Sequence, residues 1–273
     1  MIKLGVFGKF FGSIYGLVLA AYFFFPLLAM GRFAFQVTPV SNLTWENLGE
    51  NWNVEPLFRA FADEKVQASA ALTALLTLLT IVITIFTLVP IATYVEIRRP
   101  EWRGALNLLT ILPWVVPPVA LVVGVAATFR PVAPWFLSNP LSLSFFYAIW
   151  MLPFSYRAIE GQLRLIGIKT LYEASQSLGG SMATFLLKVA LPNLRSSLMV
   201  ATLLIIAAVT GEFTFAALLL KQTFPVYLID LQSEDVRAGY ALALFVIFAT
   251  ALLLAWITIW LRRRGRQLNA IGV

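Results

Sequence analysis

The sequence predicts an all-α membrane protein with six transmembrane helices, and three observations carry that expectation. First, 60% of the 273 residues are hydrophobic and only 12% are charged, about half the charged share of an ordinary soluble domain. Second, the apolar residues gather into runs of spanning length, because a helix needs about 20 of them to cross a hydrocarbon core ~30 Å thick. The runs cover residues 11–30, 68–90, 105–127, 137–155, 198–220 and 238–261, and Glu212 is the single Asp, Glu, Lys or Arg inside them. Third, the charges of the connecting segments are sorted by side.

That sorting sets the orientation, since cytoplasmic connections collect Lys and Arg. With the N-terminus inside, the inner segments hold Lys3, Lys9, Arg98, Arg99, Arg103, Arg157, Arg164, Lys169, Lys188, Arg195, Arg262, Arg263, Arg264 and Arg266. The outer segments hold Arg32, Arg59, Lys65, Arg130, Lys221 and Arg237. Fourteen basic residues against six, with eight acids outside and four inside, places both termini in the cytoplasm. The net charge of +7 is then a mark of topology, and no nucleic-acid partner is expected. Cysteine and histidine are both absent, which removes disulfides, thiol nucleophiles, imidazole acid–base chemistry and the commonest metal ligand. No metal site or catalytic residue is expected.

Taken in order, the first span follows Lys3 and Lys9 in the manner of a signal peptide, but five further spans make it an uncleaved helix. Residues 31–67 form the longest outer segment, and its mixed stretch 54–66 is expected as a short surface helix. The triplet Asn42-Leu43-Thr44 fits a glycosylation acceptor, a pattern common by chance. Pro113, Pro117 and Pro118 punctuate the third span and Pro153 the fourth. Each removes an N–H donor and kinks its helix. Two readings stand: bent helices around a cavity, or freed carbonyls re-satisfied by neighbouring helices. No repeat or flexible linker divides the chain, so 1–273 reads as one transmembrane domain.

The inner segment 156–197 is long for a connection, and its pattern is helical. Thr170-Leu171-Tyr172-Glu173 has the spacing of a capping box, and Leu171, Ala174, Ser175 and Leu178 follow on one helical face. Gly179 and Gly180 offer the left-handed turn that ends a helix. Ser181 can cap a second helix with Met182, Phe185, Leu186 and Val189 on one face, and Pro192 should stop it. Such an amphipathic pair either lies on lipid headgroups or sets its apolar stripe into a groove of a soluble partner. The residues alone leave both open.

The spacing has a known counterpart. Glu173-Ala174-Ser175, Gly179, Val189 and Leu191-Pro192 resemble the Glu-Ala-Ala signature, with Gly and Ile-x-Leu-Pro at the same intervals, of membrane subunits of type I ABC importers. Ser replaces the second Ala and Val the Ile. The similarity runs from about residue 66 to 262, with 1–67 supplying the first span and outer loop. It implies that 156–197 carries the coupling helix, which sits in a cleft of a cytoplasmic ABC ATPase. Glu173, Ala174, Ser175, Gly179, Ser181, Met182, Phe185, Leu191 and Pro192 would form that coupling element. On the residues alone, Glu173 is a capping acid; the resemblance gives it the coupling role. The implied partners are an ATPase dimer holding ATP and magnesium, a second permease (a paralogue more than an identical copy), an extracytoplasmic substrate-binding protein and the bilayer. The implied location is the plasma (inner) membrane of a prokaryote. This chain would bind no cofactor itself and would not be an enzyme: it has no Walker A pattern.

Glu212 lies towards the outer end of the fifth run. An acid there faces a cavity or a partner, or it is held structurally by Thr210 or Thr214. With Thr210 and Phe213 it forms the candidate substrate path. Gly211-Glu212-Phe213 followed by Leu218-Leu219-Leu220 and Thr223-Phe224-Pro225-Val226 resembles the branch serving iron(III), polyamines, aminoethylphosphonate or thiamine. The alternative is a proton-coupled secondary transporter using Glu212, which leaves the inner loop without a purpose.

Overall fold

The computed structural model describes residues 6–38, 42, 44, 47 and 49–270, with side chains placed for 14–257 and 259 among them. Lys3, Leu43 of the acceptor triplet, and the side chains of Lys9, Arg262, Arg263, Arg264 and Arg266 lie outside the described residues. In chain order the helices are α1 (Val6–Phe35), α2 (Glu55–Ala62), α3 (Glu64–Arg98), α4 (Arg103–Val115), α5 (Pro118–Val132), α6 (Pro134–Ser138) and α7 (Leu143–Leu165). They continue as α8 (Ile168–Ser177), α9 (Met182–Phe185), a π-helical turn (Leu186–Ala190), α10 (Leu191–Thr210), α11 (Thr214–Leu218), α12 (Phe224–Glu234) and α13 (Val236–Ala270). Among the described residues there is no strand, only the isolated bridge between Gln36 and Trp52.

Four helices are long and apolar enough to cross a bilayer: residues 14–35 of α1, α3, the run 182–210, and residues 236–257 of α13. The third expected span is instead two helices, α4 and α5, meeting at 94°. Val116 and Pro117 are both extended at that corner. Pro118 has no N–H and Pro117 cannot precede a proline in helical geometry, so the Pro117-Pro118 pair breaks the span where a kink was expected, while Pro113 lies inside α4. The bent pair makes a fifth crossing when counted as one span. The fourth expected span also differs: α6 stops at Ser138, and α7 begins at Leu143. The C-terminal half of α7 carries Arg157, Glu160 and Arg164, and its apolar part is too short to cross alone. The fifth run ends early, at Thr210, and 214–218 is a separate short helix.

The chain forms two compact units, residues 1–67 with 227–273, and residues 68–226. Their boundaries fall inside α3 and α12, so no linker marks them in the sequence. In the first unit α1, α2 and α13 pack together around Ala34, Ala241 and Leu244, with Leu27, Met30 and Leu57 against them. The expected helix at 54–66 is two helices broken at Asp63. Its carboxylate accepts the N–H groups of Lys65 (2.7 Å) and Val66 (3.3 Å), and its other oxygen accepts the Tyr227 hydroxyl (2.8 Å).

In the second unit α7 lies along α10, with α4 on α7 and α11 against α5 and α7. Two apolar clusters fill it. One centres on Leu76, Leu143, Tyr147, Ile205 and Phe215; the other joins Leu88, Ile159, Leu163, Ile168, Phe185 and Leu194. Three of the buried threonines of α3 fit such surroundings because their hydroxyls bond back to their own helix. Thr73 donates to Ser69 O (2.9 Å), Thr77 to Thr73 O (2.8 Å) and Thr80 to Leu76 O (2.7 Å), the usual way for threonine to enter a helix core.

Candidate functional site

The inner loop is a helix, a sharp turn and a second helix. α8 ends in a Schellman turn: Gly179 N–H donates to Gln176 O and Gly180 N–H to Ser175 O, both 2.9 Å. Gly179 sits at φ +79°, a left-handed conformation that costs an L-residue ~1–2 kcal/mol. Gly180 is needed for a different reason, which the sequence did not disclose. A Cβ there would lie 2.6 Å from Ser175 Oγ and 2.9 Å from Ser175 O. Ser181 caps α9 as expected, accepting the Thr184 N–H at 3.2 Å.

Other expectations for the loop are corrected. Thr170 does not cap α8. The helix starts two residues earlier, at Ile168, immediately after Gly167 in the left-handed conformation (φ +60°), so Thr170 and Glu173 lie inside it and form no capping box. The face turned inward is Ile168, Leu171, Tyr172 and Ser175, the expected face shifted three residues towards the start of the helix; Ala174 is exposed and Leu178 is 89% exposed. Pro192 does not end the second helix either. The run is continuous from 182 to 210, because the π-turn at Leu186–Ala190 changes the hydrogen-bond register just ahead of the proline. The Asn193 side-chain amide then donates to Val189 O at 2.8 Å.

The apolar stripe of the second helix was expected to meet lipid or a partner. It is covered by the chain itself. Phe185 is fully buried, and Met182, Leu186 and Val189 pack on the same cluster. Phe185 meets Tyr172 edge to face at 5.1 Å. The Arg98 guanidinium donates to the Tyr172 hydroxyl (2.7 Å) and lies 5.1 Å from its ring centre. α3, α8 and α9 are thereby tied into one body, which leaves Glu173, Ala174, Leu178, Ser181 and Ala183 exposed at the apex. Beside it, Arg103 forks onto the nearly buried Glu96 (Nε to Oε2, 2.6 Å, and a second contact from Nη2 to Oε1), and Arg164 pairs with Glu160 at 2.6 Å. Arg98 and Tyr172 were not singled out from the sequence. They are 74 residues apart, and no local pattern joins them.

The second candidate region lies at the break after α10. Glu212 Oε1 accepts the Phe215 N–H at 2.8 Å and so caps α11. Neither expected threonine holds it: Thr210 donates to Ile206 O at 2.7 Å instead. Glu212 Oε2 is buried, as is the hydroxyl of Tyr147, which is itself 2% exposed. The two groups lie within electrostatic reach of one another. Phe215 meets Trp150 edge to face at 5.2 Å, and Trp150 stacks on Trp114 at 4.5 Å. The Trp114 indole N–H donates to the Trp150 carbonyl at 2.6 Å, which staples α4 to the turn of α7 that Pro153 disturbs. Phe213 is 41% exposed beside this wall. Leu220 has a backbone role that the sequence pattern does not show: it sits at φ +56° and is 89% exposed. It occupies the usual glycine position of a second Schellman turn, with Leu220 N–H on Ala217 O (3.1 Å) and Lys221 N–H on Ala216 O (2.8 Å).

No protein-family model matches the sequence, and no curated protein matches it. Among solved structures the chain is similar to a chain of a bacterial ABC transporter involved in the import of the acidic polysaccharide alginate. The TM-score is 0.69, over 95% of this chain and 99% of that one, at 16% sequence identity. The two chains share a fold.

Proposed function

We propose that the chain is a transmembrane permease subunit of an ATP-driven importer, working with a second permease, a cytoplasmic ATPase dimer and an extracytoplasmic binding protein. The observation that carries this is the inner loop. Its apolar stripe is locked into the chain's own core, and its polar apex, turned at Gly179, stands exposed. An element so built transmits force, because a push on the apex reaches α3 through Tyr172 and Arg98 and reaches α10 through the continuous run 182–210. ATP and magnesium belong to the partner ATPase. Both termini are cytoplasmic and the membrane is the inner membrane of a prokaryote. The solute is small, of the polyamine, iron(III), phosphonate or thiamine kind, with Glu212, Thr210 and Phe213 beside its path. At 16% identity the polysaccharide cargo of the structural relative does not transfer.

The residues of this chain that meet the ATPase are Glu173, Ala174, Gly179 and Ser181, with Ser175 behind them against Gly180 and Leu191 and Pro192 setting the departure of the helix. Phe185 and Met182 act from inside, as the seat of the apex. A cysteine at Ala183, next to the apex, should crosslink to the ATPase in the assembled complex. Glu173→Ala should lower substrate-stimulated ATP hydrolysis and uptake roughly tenfold, equivalent to ~1.4 kcal/mol of coupling, with membrane insertion unchanged. Undiminished stimulation in that variant, or uptake by the chain without any ATPase, would overturn the proposal.

A further inference from the structure

The first unit holds a groove that neither the loop nor Glu212 uses. It runs between α1 and α13, has a volume of about 400 Å³, and is walled by Phe24, Leu28, Phe245 and Phe248 with Trp52 and Arg32 also lining it. Arg32 is the one charged residue among that lining, and it is held in place. Its Nε donates to Gln36 Oε1 at 2.8 Å. Gln36 is 2% exposed, and its side-chain amide donates to the carbonyls of Asn47 and Glu50 at 3.1 Å each. Gln36 thus orients the guanidinium by one edge and leaves the two terminal nitrogens for something else. Among the described residues no carboxylate lies within ion-pairing distance of Arg32, whereas Arg59 in the same unit is paired with both Glu55 and Asp235. Arg237, whose Nη2 donates to Val37 O at 3.0 Å, likewise pairs with no carboxylate among the described residues.

An apolar groove in a bilayer gains little from another apolar helix, since lipid tails are equally apolar. The selective feature is an oriented guanidinium with unused donors, and its complement is a headgroup phosphate whose charge no headgroup cation balances, gripped with a fork of hydrogen bonds. A basic residue beside an apolar cleft is the pairing that holds an anionic lipid, one signal from the chain and one from the headgroup. We propose that this groove binds one anionic phospholipid, an acyl chain lying along Phe24, Leu28, Phe245 and Phe248 and the phosphate on Arg32. The proposal needs α1 and α13 to span the bilayer and does not depend on the importer reading.

Brominated lipids test it, because they quench tryptophan only on contact. The full chain is placed in phosphatidylcholine bilayers containing brominated phosphatidylglycerol or brominated phosphatidylcholine, and the Trp52 signal is isolated by subtracting the Trp52→Phe variant. Phosphatidylglycerol should be preferred at Trp52 roughly fivefold, the worth of one basic residue near an anionic surface. Arg32→Gln should bring that preference to about one, Arg32→Lys should keep most of it, and Arg59→Gln should leave it as in the parent protein. Equal quenching by the two lipids in the parent protein, or a preference that survives Arg32→Gln, overturns the proposal. So does a Trp52 that neither lipid quenches, which would mean that a protein surface covers the groove.

Discussion

Gly179 and Gly180 stand side by side and are required for unlike reasons. A Cβ at Gly179 meets nothing within 4 Å, so Gly179→Ala carries only the left-handed strain, ~1–2 kcal/mol. At Gly180 the added carbon collides with the backbone of Ser175, and the Schellman turn itself must shift. Gly180→Ala should therefore lower the thermal unfolding midpoint further than Gly179→Ala in purified protein; the reverse order would disprove the assigned geometry. Leu220 is the opposite case. It bears left-handed strain where glycine is usual, and at 89% exposure it returns little burial. Leu220→Gly should stabilise the chain by up to ~1 kcal/mol, read from the same midpoint. At Glu212 the two oxygens have separate duties. Glu212→Gln keeps an acceptor for the Phe215 N–H, so it should alter uptake while leaving assembly intact. Glu212→Ala also removes the cap of α11 and should cost a further ~1 kcal/mol.

Among the elements, the inner loop was legible in outline. Gly179, the Ser181 cap and the face of Met182, Phe185, Leu186 and Val189 are local devices, and each is where the spacing placed it. The start of α8 was not legible, because Thr170-x-x-Glu173 is equally at home inside a helix once Gly167 has opened the turn earlier. The prolines mislead in both directions. Pro117 and Pro118 break the third span outright at 94°, whereas Pro113 lies within α4 and Pro192 is absorbed by a π-turn. What decides is whether neighbouring backbone can take up the freed carbonyls. Tyr172→Phe probes the element directly. It deletes the bond from Arg98 while keeping the ring edge to face with Phe185, and it should cost about 1 kcal/mol. The cost should appear as faster amide exchange across α8 and α9, with no change in α13.

Across each compact unit, polar contacts between distant segments close the fold. In the first, Asp63 ends α2, starts α3 and receives the Tyr227 hydroxyl. Burial pushes the Asp63 carboxyl up, but the Tyr227 hydroxyl and the N–H groups of Lys65 and Val66 outweigh it and hold the group below its usual 3.8. Burial first, and then the bond to Asp63, push Tyr227 up to about 12. A depressed acid stabilises above its unfolded value and loses that contribution as the pH falls through its folded value. A raised phenol stabilises below its unfolded value of 10.0 and loses that as the pH rises through about 12. The parent protein should therefore lose stability relative to Asp63→Asn as the pH drops below about 4. Thermal unfolding of both proteins across pH 3–7 checks this, and parallel curves would refute it.

Apolar run length, the sign of the connecting charges and the glycine-centred turn were determined by the sequence itself, because spanning, sorting and capping act over a few residues or depend only on composition. Which way the loop's apolar stripe faces, the corner between α4 and α5, the tie of Arg98 to Tyr172, and the backbone N–H that holds Glu212 were decided by tertiary structure. Each depends on a partner brought near by packing, or on backbone strain that only neighbouring helices resolve, and neither has a signature in local spacing.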